Sequence, residues 1–393
     1  MTKRRRTLRR APLLLAAPLI LYLVFAFFLP VGAMLTRGMT EQEMPTLWPE
    51  TAAQLKKWDG TGTPPDRLVQ TMAREMIETR RGRTLNLVAN RINYAIAGSR
   101  SLIFGTAQRI EDGAPANRAT DFVAIDPRWG RRGTWAALRH ASGPVTSFYL
   151  LAALDRRLDT TDTITPVPED QRVFVNIFLR TFEISAIVTL LCALLGYPLA
   201  CLLASLPQRA ANPLLILVLL PFWTSTLART TAWVVLLQTE GVINGALQSL
   251  GLTDAPLPLL YNRLSVYIAM THVLLPFLIL PLYGVMRSVP LATLRAARSL
   301  GAGPIVAFAR VYFPQTLPGL IAGAAIVFTL SLGYYVTPAL VGGGGDQMIS
   351  ASIAFYTNQS LNWGLAAALS LLLLLPLLLL WPVGRAMLTR ERV

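Results

Sequence analysis

Apolar residues in this chain gather into runs far longer than the stripe of a water-soluble helix. Six can be drawn: 11–35, 173–203, 213–237, 264–286, 319–340 and 363–383. A run of ~18 or more apolar residues is long enough to cross hydrocarbon as a helix, so each predicts a span. The first follows "MTKRRRTLRR". It is too long for the core of a cleaved signal and lacks an A-x-A site, so it reads as an anchor rather than a secretory or twin-arginine leader.

The pattern changes between the first two runs. "DRLVQTMAREMIETRR", "LNLVANRINYAIAGSR" and "TWAALRHASGPVTSFYLLAALDRRL" place apolar residues at helical intervals, while "DGTGTPPD" and "EDGAPAN" read as turns. The expected fold is an all-α membrane protein of six transmembrane helices. It divides into a basic tail with span 1 (1–37), a mostly helical insert (38–171), a five-span core (172–386) with a polar loop at 287–318, and a short tail (387–393).

Charge orients this layout. The chain carries 15% charged residues, a net charge of +15 and a mean hydropathy of +0.48. With the N-terminus in the cytoplasm, Arg209, Arg287, Arg295, Arg298, Arg310, Arg385, Arg390 and Arg392 all fall inside. Glu240, Asp254 and Asp346 fall outside, with Arg263 at a span edge. That is the positive-inside rule, and it puts both termini in the cytoplasm. The insert is then translocated; its charges nearly cancel, and long domains escape the rule. The positive charge therefore reports orientation rather than nucleic-acid binding.

Several chemistries are excluded. Lys3, Lys56 and Lys57 are the lysines, and no Gly-x-x-x-x-Gly-Lys-Ser/Thr loop occurs, so a P-loop is ruled out. Two histidines and two cysteines do not make a zinc site or a nucleophile–base pair. Cys192 and Cys201 lie roughly 13 Å apart along one helix, too far to bridge.

Charged groups inside spans are costly and mark function or internal pairing. Arg180 and Glu183 are spaced to pair on one face of the second span; alternatively Glu183 faces a path and attracts a cation. Arg229 would repel a cation, so it is expected to order the bundle or contact a periplasmic partner. Trp223, Trp233, Tyr334 and Tyr335 suit stacking on an amine, or an interfacial belt. His272 is expected to be a hydrogen-bonded packing residue, and Pro276 and Pro281 to bend the fourth span. "VGGGGD" (341–346) lacks the residues of a phosphate cradle and reads as a flexible span exit.

The stretch "LRAARSLGAGPIVAFARVYFPQTLPGL" (294–320) is cationic, acid-free and punctuated. Ala296, Ala297 and Leu300 share one side of a short helix. Gly301 is placed to end it in a left-handed conformation, Pro304 to open a second helix, and Pro314 to stop or kink that helix before the next span.

This stretch resembles the cytoplasmic loop of binding-protein-dependent ABC importer permeases, patterned E-A-A-x3-G-x9-I-x-L-P. Here Arg295, Ala296 and Ala297 are followed by Gly301, nine residues, then Val311, Tyr312, Phe313 and Pro314. Arg295 replaces the glutamate. "LLGYPLACLLASLP", "LLPFWTSTLARTTAWVVLL", "LLPFLILPLYGVM" and "TPALVGGGGDQMISASI" are similar to the spermidine/putrescine-type subfamily, from Phe174 to the C-terminus. The resemblance implies the type I importer fold in a bacterial inner membrane. It implies a second permease subunit, a periplasmic solute-binding protein, and an ABC ATPase dimer docked on the loop. It further implies that this chain binds no cofactor, with ATP and Mg on the ATPase, and that the cargo is a polyamine or another small solute such as an opine or phosphonate. Arg295 implies an acidic partner on the ATPase. A membrane-embedded enzyme would need clustered His, Asp or Ser, and an ion-driven carrier paired inverted halves; the sequence has neither.

Overall fold

The computed structural model describes the backbone of residues 16–390 and the side chains of residues 16–378. The N-terminal basic tail, Arg392 and the side chains of Arg385 and Arg390 lie outside the described residues. The chain divides into two compact units, Met1–Arg172 with Ser360–Leu371, and Val173–Gln359 with Leu372–Val393.

The first unit opens with the apolar helix Ala16–Thr36. The helices that follow are built around Trp48, Met72, Leu85, Ile92, Phe122, Trp129 and Leu138. The first helical pattern of the insert is the helix Asp66–Arg81. The second divides into Leu85–Ala95 and Ser99–Glu111 at Gly98, whose φ of +86° no side-chain-bearing residue adopts cheaply. The third is not one helix. After Arg132–His140 and Phe148–Ala153 the chain turns into an antiparallel pair, Arg156–Leu158 with Ile164–Pro166.

A buried ion pair lies at the start of this unit. Glu41 Oε2 accepts from Arg91 Nε at 2.6 Å, and neither side chain is more than 1% exposed. The Arg91 guanidinium also stacks on Phe148, 4.2 Å from its centroid. Burial pushes the Glu41 carboxyl up to about 7 from an ordinary 4.5, although Arg91 pulls it down. The folded state thus binds a proton that the unfolded chain has released. Stability from this group is full below about 4.5 and is lost as pH rises towards 7. The purified chain is therefore expected to gain on the order of 2 kcal/mol between pH 7.5 and 5.5. Glu41→Gln is expected to flatten that part of the slope in thermal melts; equal slopes would contradict the assignment.

The second unit is helical throughout. Phe174–Ser205, Arg263–Ser288 and Pro304–Gly333 are long and apolar enough to span a membrane, as is Ala16–Thr36 of the first unit. The three of the second unit pack around Ile184, Val188, Cys192, Leu274, Leu278 and Val327. In lipid, water does not drive helices together, so close packing has to. Gly196, Gly319 and Gly323 supply it. A Cβ on Gly323 would stand 2.9 Å from the Leu278 carbonyl oxygen, and one on Gly196 would stand 2.7 Å from Leu278 Cδ2.

Two expected spans differ in detail. The 213–237 run is two helices, Gln208–Trp223 and Thr226–Ser249, bent by 98°. Pro221 tightens the end of the first, and the Ser225 hydroxyl caps the second by accepting from Ala228 N. The 319–340 run belongs to a helix that starts at Pro304 and ends at Gly333, followed by Val336–Val341. Pro314 neither stops nor separates it. A π turn at Phe308–Tyr312 widens the preceding turn, moving away the carbonyls a proline ring would strike. The last apolar run lies in the helix Trp363–Arg390, which continues from the first unit into the second.

Candidate functional site

The helix Arg263–Ser288 is 26 residues, roughly 39 Å long. The loop lies after its end and an ion cluster at its start.

In the loop, Leu291–Ser299 forms a short helix. Gly301, at φ +90°, closes it: Ala302 N donates to Ala297 O at 3.1 Å and Gly301 N to Arg298 O at 3.0 Å. This is the Schellman pairing that a left-handed glycine permits. Pro304 then opens the next helix at its first position. Arg295, Ala296 and Arg298 are exposed and Ala297 is half-buried. Leu300 is 89% and Ile305 81% exposed. The segment from Arg287 through Arg310 holds four arginines, both ends included, and no acid.

The loop is tied to the helix Phe174–Ser205 by aromatic rings. Tyr197 packs 5.6 Å from Phe313 and 6.2 Å from Phe308, and its hydroxyl meets Thr316 Oγ1 at 2.9 Å. Val311 lies two residues before Phe313 and Pro314 directly after it. Arg287 donates to the carbonyls of Ala204 and Leu206. Side-chain contacts thus join the loop's two ends to the helix Phe174–Ser205. Tyr197 and Arg287 escape a sequence reading because neither belongs to the loop pattern.

At the opposite end, the expected Arg180–Glu183 pair does not form. Arg263 Nη1 donates to both Glu183 oxygens at 3.0 and 3.1 Å, and its Nε donates to Asp346 Oδ1 at 3.1 Å. Arg180 donates instead to Gln347 O at 3.3 Å. An i,i+3 pair contributes a few tenths of a kcal/mol, whereas Arg263 answers two carboxylates from two other elements. The first half of the glycine run, Gly342 and Gly343, is also closely packed, whereas Gly344 and Gly345 face open space. A Cβ on Gly342 would lie 2.5 Å from Pro338 O and one on Gly343 2.7 Å from Tyr261 O. Gly343 N donates to Asp346 Oδ2, and Ser265 Oγ and Tyr261 N donate to Val341 O. Arg263 was legible only as a charge at a span edge, and Asp346 only as one in an outside loop.

The other path candidates occupy separate features. Trp223 is 76% exposed at the 98° bend, and Tyr334 and Tyr335 lie between Gly333 and Val336. Thr230 Oγ1 meets Thr337 Oγ1 at 3.1 Å, so the helix bearing Arg229 packs against the segment after the tyrosines. Trp233 Nε1 donates to His272 Nδ1 at 3.3 Å, and His272 is hydrogen-bonded as expected.

Residues 196–384 match the family of binding-protein-dependent transport system inner membrane components. The chain is 33% identical over 217 residues to the spermidine/putrescine transport system permease protein PotB of Escherichia coli, covering 54% of this chain and 79% of that one. The chain belongs to this permease family. PotB of Haemophilus influenzae is 34% identical over 199 residues (51% of this chain, 70% of that one). The inner membrane ABC transporter permease protein YdcU of E. coli is 34% identical over 179 residues (42% and 57%). A solved bacterial alginate ABC transporter aligns with a TM-score of 0.46 at 18% identity, covering 56% of this chain and 80% of that one. The molecule is thus a multi-pass inner-membrane permease subunit of an ABC importer. It is a transport component, and ATP hydrolysis belongs to a separate subunit.

Proposed function

We propose that this permease moves a polyamine, putrescine or spermidine, delivered by a periplasmic binding protein. Identity of 33–34% to PotB chains over most of their length carries that reading. The chain crosses the membrane six times with both termini in the cytoplasm: the Ala16–Thr36, Phe174–Ser205, Arg263–Ser288 and Pro304–Gly333 helices, the bent pair, and the Trp363–Arg390 helix. The insert is periplasmic and receives the binding protein. A second permease chain completes the pathway.

The 287–318 loop docks into an ATPase dimer, which holds the ATP and Mg. Leu300 and Ile305 enter an apolar cleft, and Arg295 faces a carboxylate on its rim. The Tyr197–Phe308–Phe313 cluster transmits closure to the spans. A different small organic cargo is favoured by one observation: Arg263 already neutralises Glu183, the carboxylate expected to attract a cation. Uptake of labelled putrescine and spermidine by cells lacking and regaining this gene, competed with opines and phosphonates, decides between the two. Restored polyamine uptake supports the proposal, and restored uptake of another solute alone replaces it.

A further inference from the structure

Arg229 sits in the first turn of its helix, where the helix dipole already presents positive charge. Its Nε is buried without a partner, and its Nη2 reaches only Thr226 Oγ1, at 3.4 Å. It makes no ion pair among the described residues. Trp233, four residues on and hence on the same face, meets His272, which is nine residues, or roughly 14 Å, into the Arg263–Ser288 helix. This face therefore lies at membrane depth.

Residues 173–359 hold four carboxylates: Glu183, Glu240, Asp254 and Asp346. Glu183 and Asp346 are held by Arg263, while Glu240 and Asp254 are exposed. None answers Arg229. Arg229 is half-buried, and a guanidinium left without a counter-charge within a membrane protein is costly, so its partner is expected to arrive with assembly. A polyamine cargo cannot supply it, being itself cationic. We infer that Arg229 is met by a carboxylate of the second permease chain, at the contact between the two permeases.

This inference rests on the two-permease pathway proposed above. The test uses the whole importer, with this chain tagged and recovery of the second permease measured. Arg229→Met is expected to lower that recovery at least tenfold, and Arg229→Lys to keep most of it. Each membrane carboxylate of the second permease (or of a differently tagged second copy) is then neutralised singly in the Arg229→Met background. One such change is expected to restore recovery by removing the charge left unpaired.

Undiminished recovery of Arg229→Met overturns the inference. So does a loss that no neutralisation repairs, or one that added dicarboxylate repairs instead. Monodispersity of Arg229→Met distinguishes a lost contact from a lost fold. If no second permease accompanies even the unaltered chain, the two-permease reading itself has failed.

Discussion

Leu300→Asp is expected to abolish capture of the ATPase by the solubilised permease while leaving the permease monodisperse. Leu300 is nearly fully exposed in the isolated chain, so its replacement costs the fold little. Burying a leucine in a partner stabilises by about 1.5–3 kcal/mol, and a carboxylate forced into the same cleft adds a desolvation penalty. A loss of at least tenfold in co-purified ATPase follows. Arg295→Glu introduces the glutamate of the loop pattern, yet here it is expected to weaken docking, because the partner proposed for Arg295 is a carboxylate on the ATPase rim. The remaining interaction should also become less sensitive to salt. Full capture by both variants would mean that the loop is only a connector.

Arg263→Gln is expected to be the most damaging single change at the opposite end. It leaves Asp346, 12% exposed, without its charged partner, at about 1–3 kcal/mol. It also frees the packed glycine turn that Asp346 holds through Gly343 N. Glu183→Gln should be mild, since Glu183 is half exposed and such pairs contribute roughly 0–1 kcal/mol. Thermal stability and uptake should therefore both fall in the order Arg263→Gln, Asp346→Asn, Glu183→Gln. Lost uptake in Glu183→Gln, with stability and assembly intact, would return Glu183 to a direct role in the path.

The long spans and the loop were legible because local rules govern them. Apolar length marks a membrane helix, and Gly301 and Pro304 punctuate the loop through backbone conformation that no distant residue alters. Asp66–Arg81 was readable for the same reason. What escaped depends on partners far apart in sequence. Glu183 finds Arg263 some 80 positions away rather than Arg180 three away. "VGGGGD" looks flexible until Pro338, Tyr261 and Asp346 close around Gly342 and Gly343. The bend at 224–225 was written in Pro221 and Ser225, but an unbroken apolar run hid it. Pro314 read as a stop or kink because the sequence does not display the π turn that precedes it.

The most direct test of the account is ATP hydrolysis by the complete importer in lipid, with its binding protein, across a panel of ligands. The account predicts that putrescine or spermidine stimulates hydrolysis, and that scrambling residues 296–301 removes both the stimulation and the bound ATPase. Stimulation by another solute with polyamines inert would contradict the assigned cargo. Undiminished, ligand-stimulated hydrolysis by the scrambled chain would contradict the coupling loop itself.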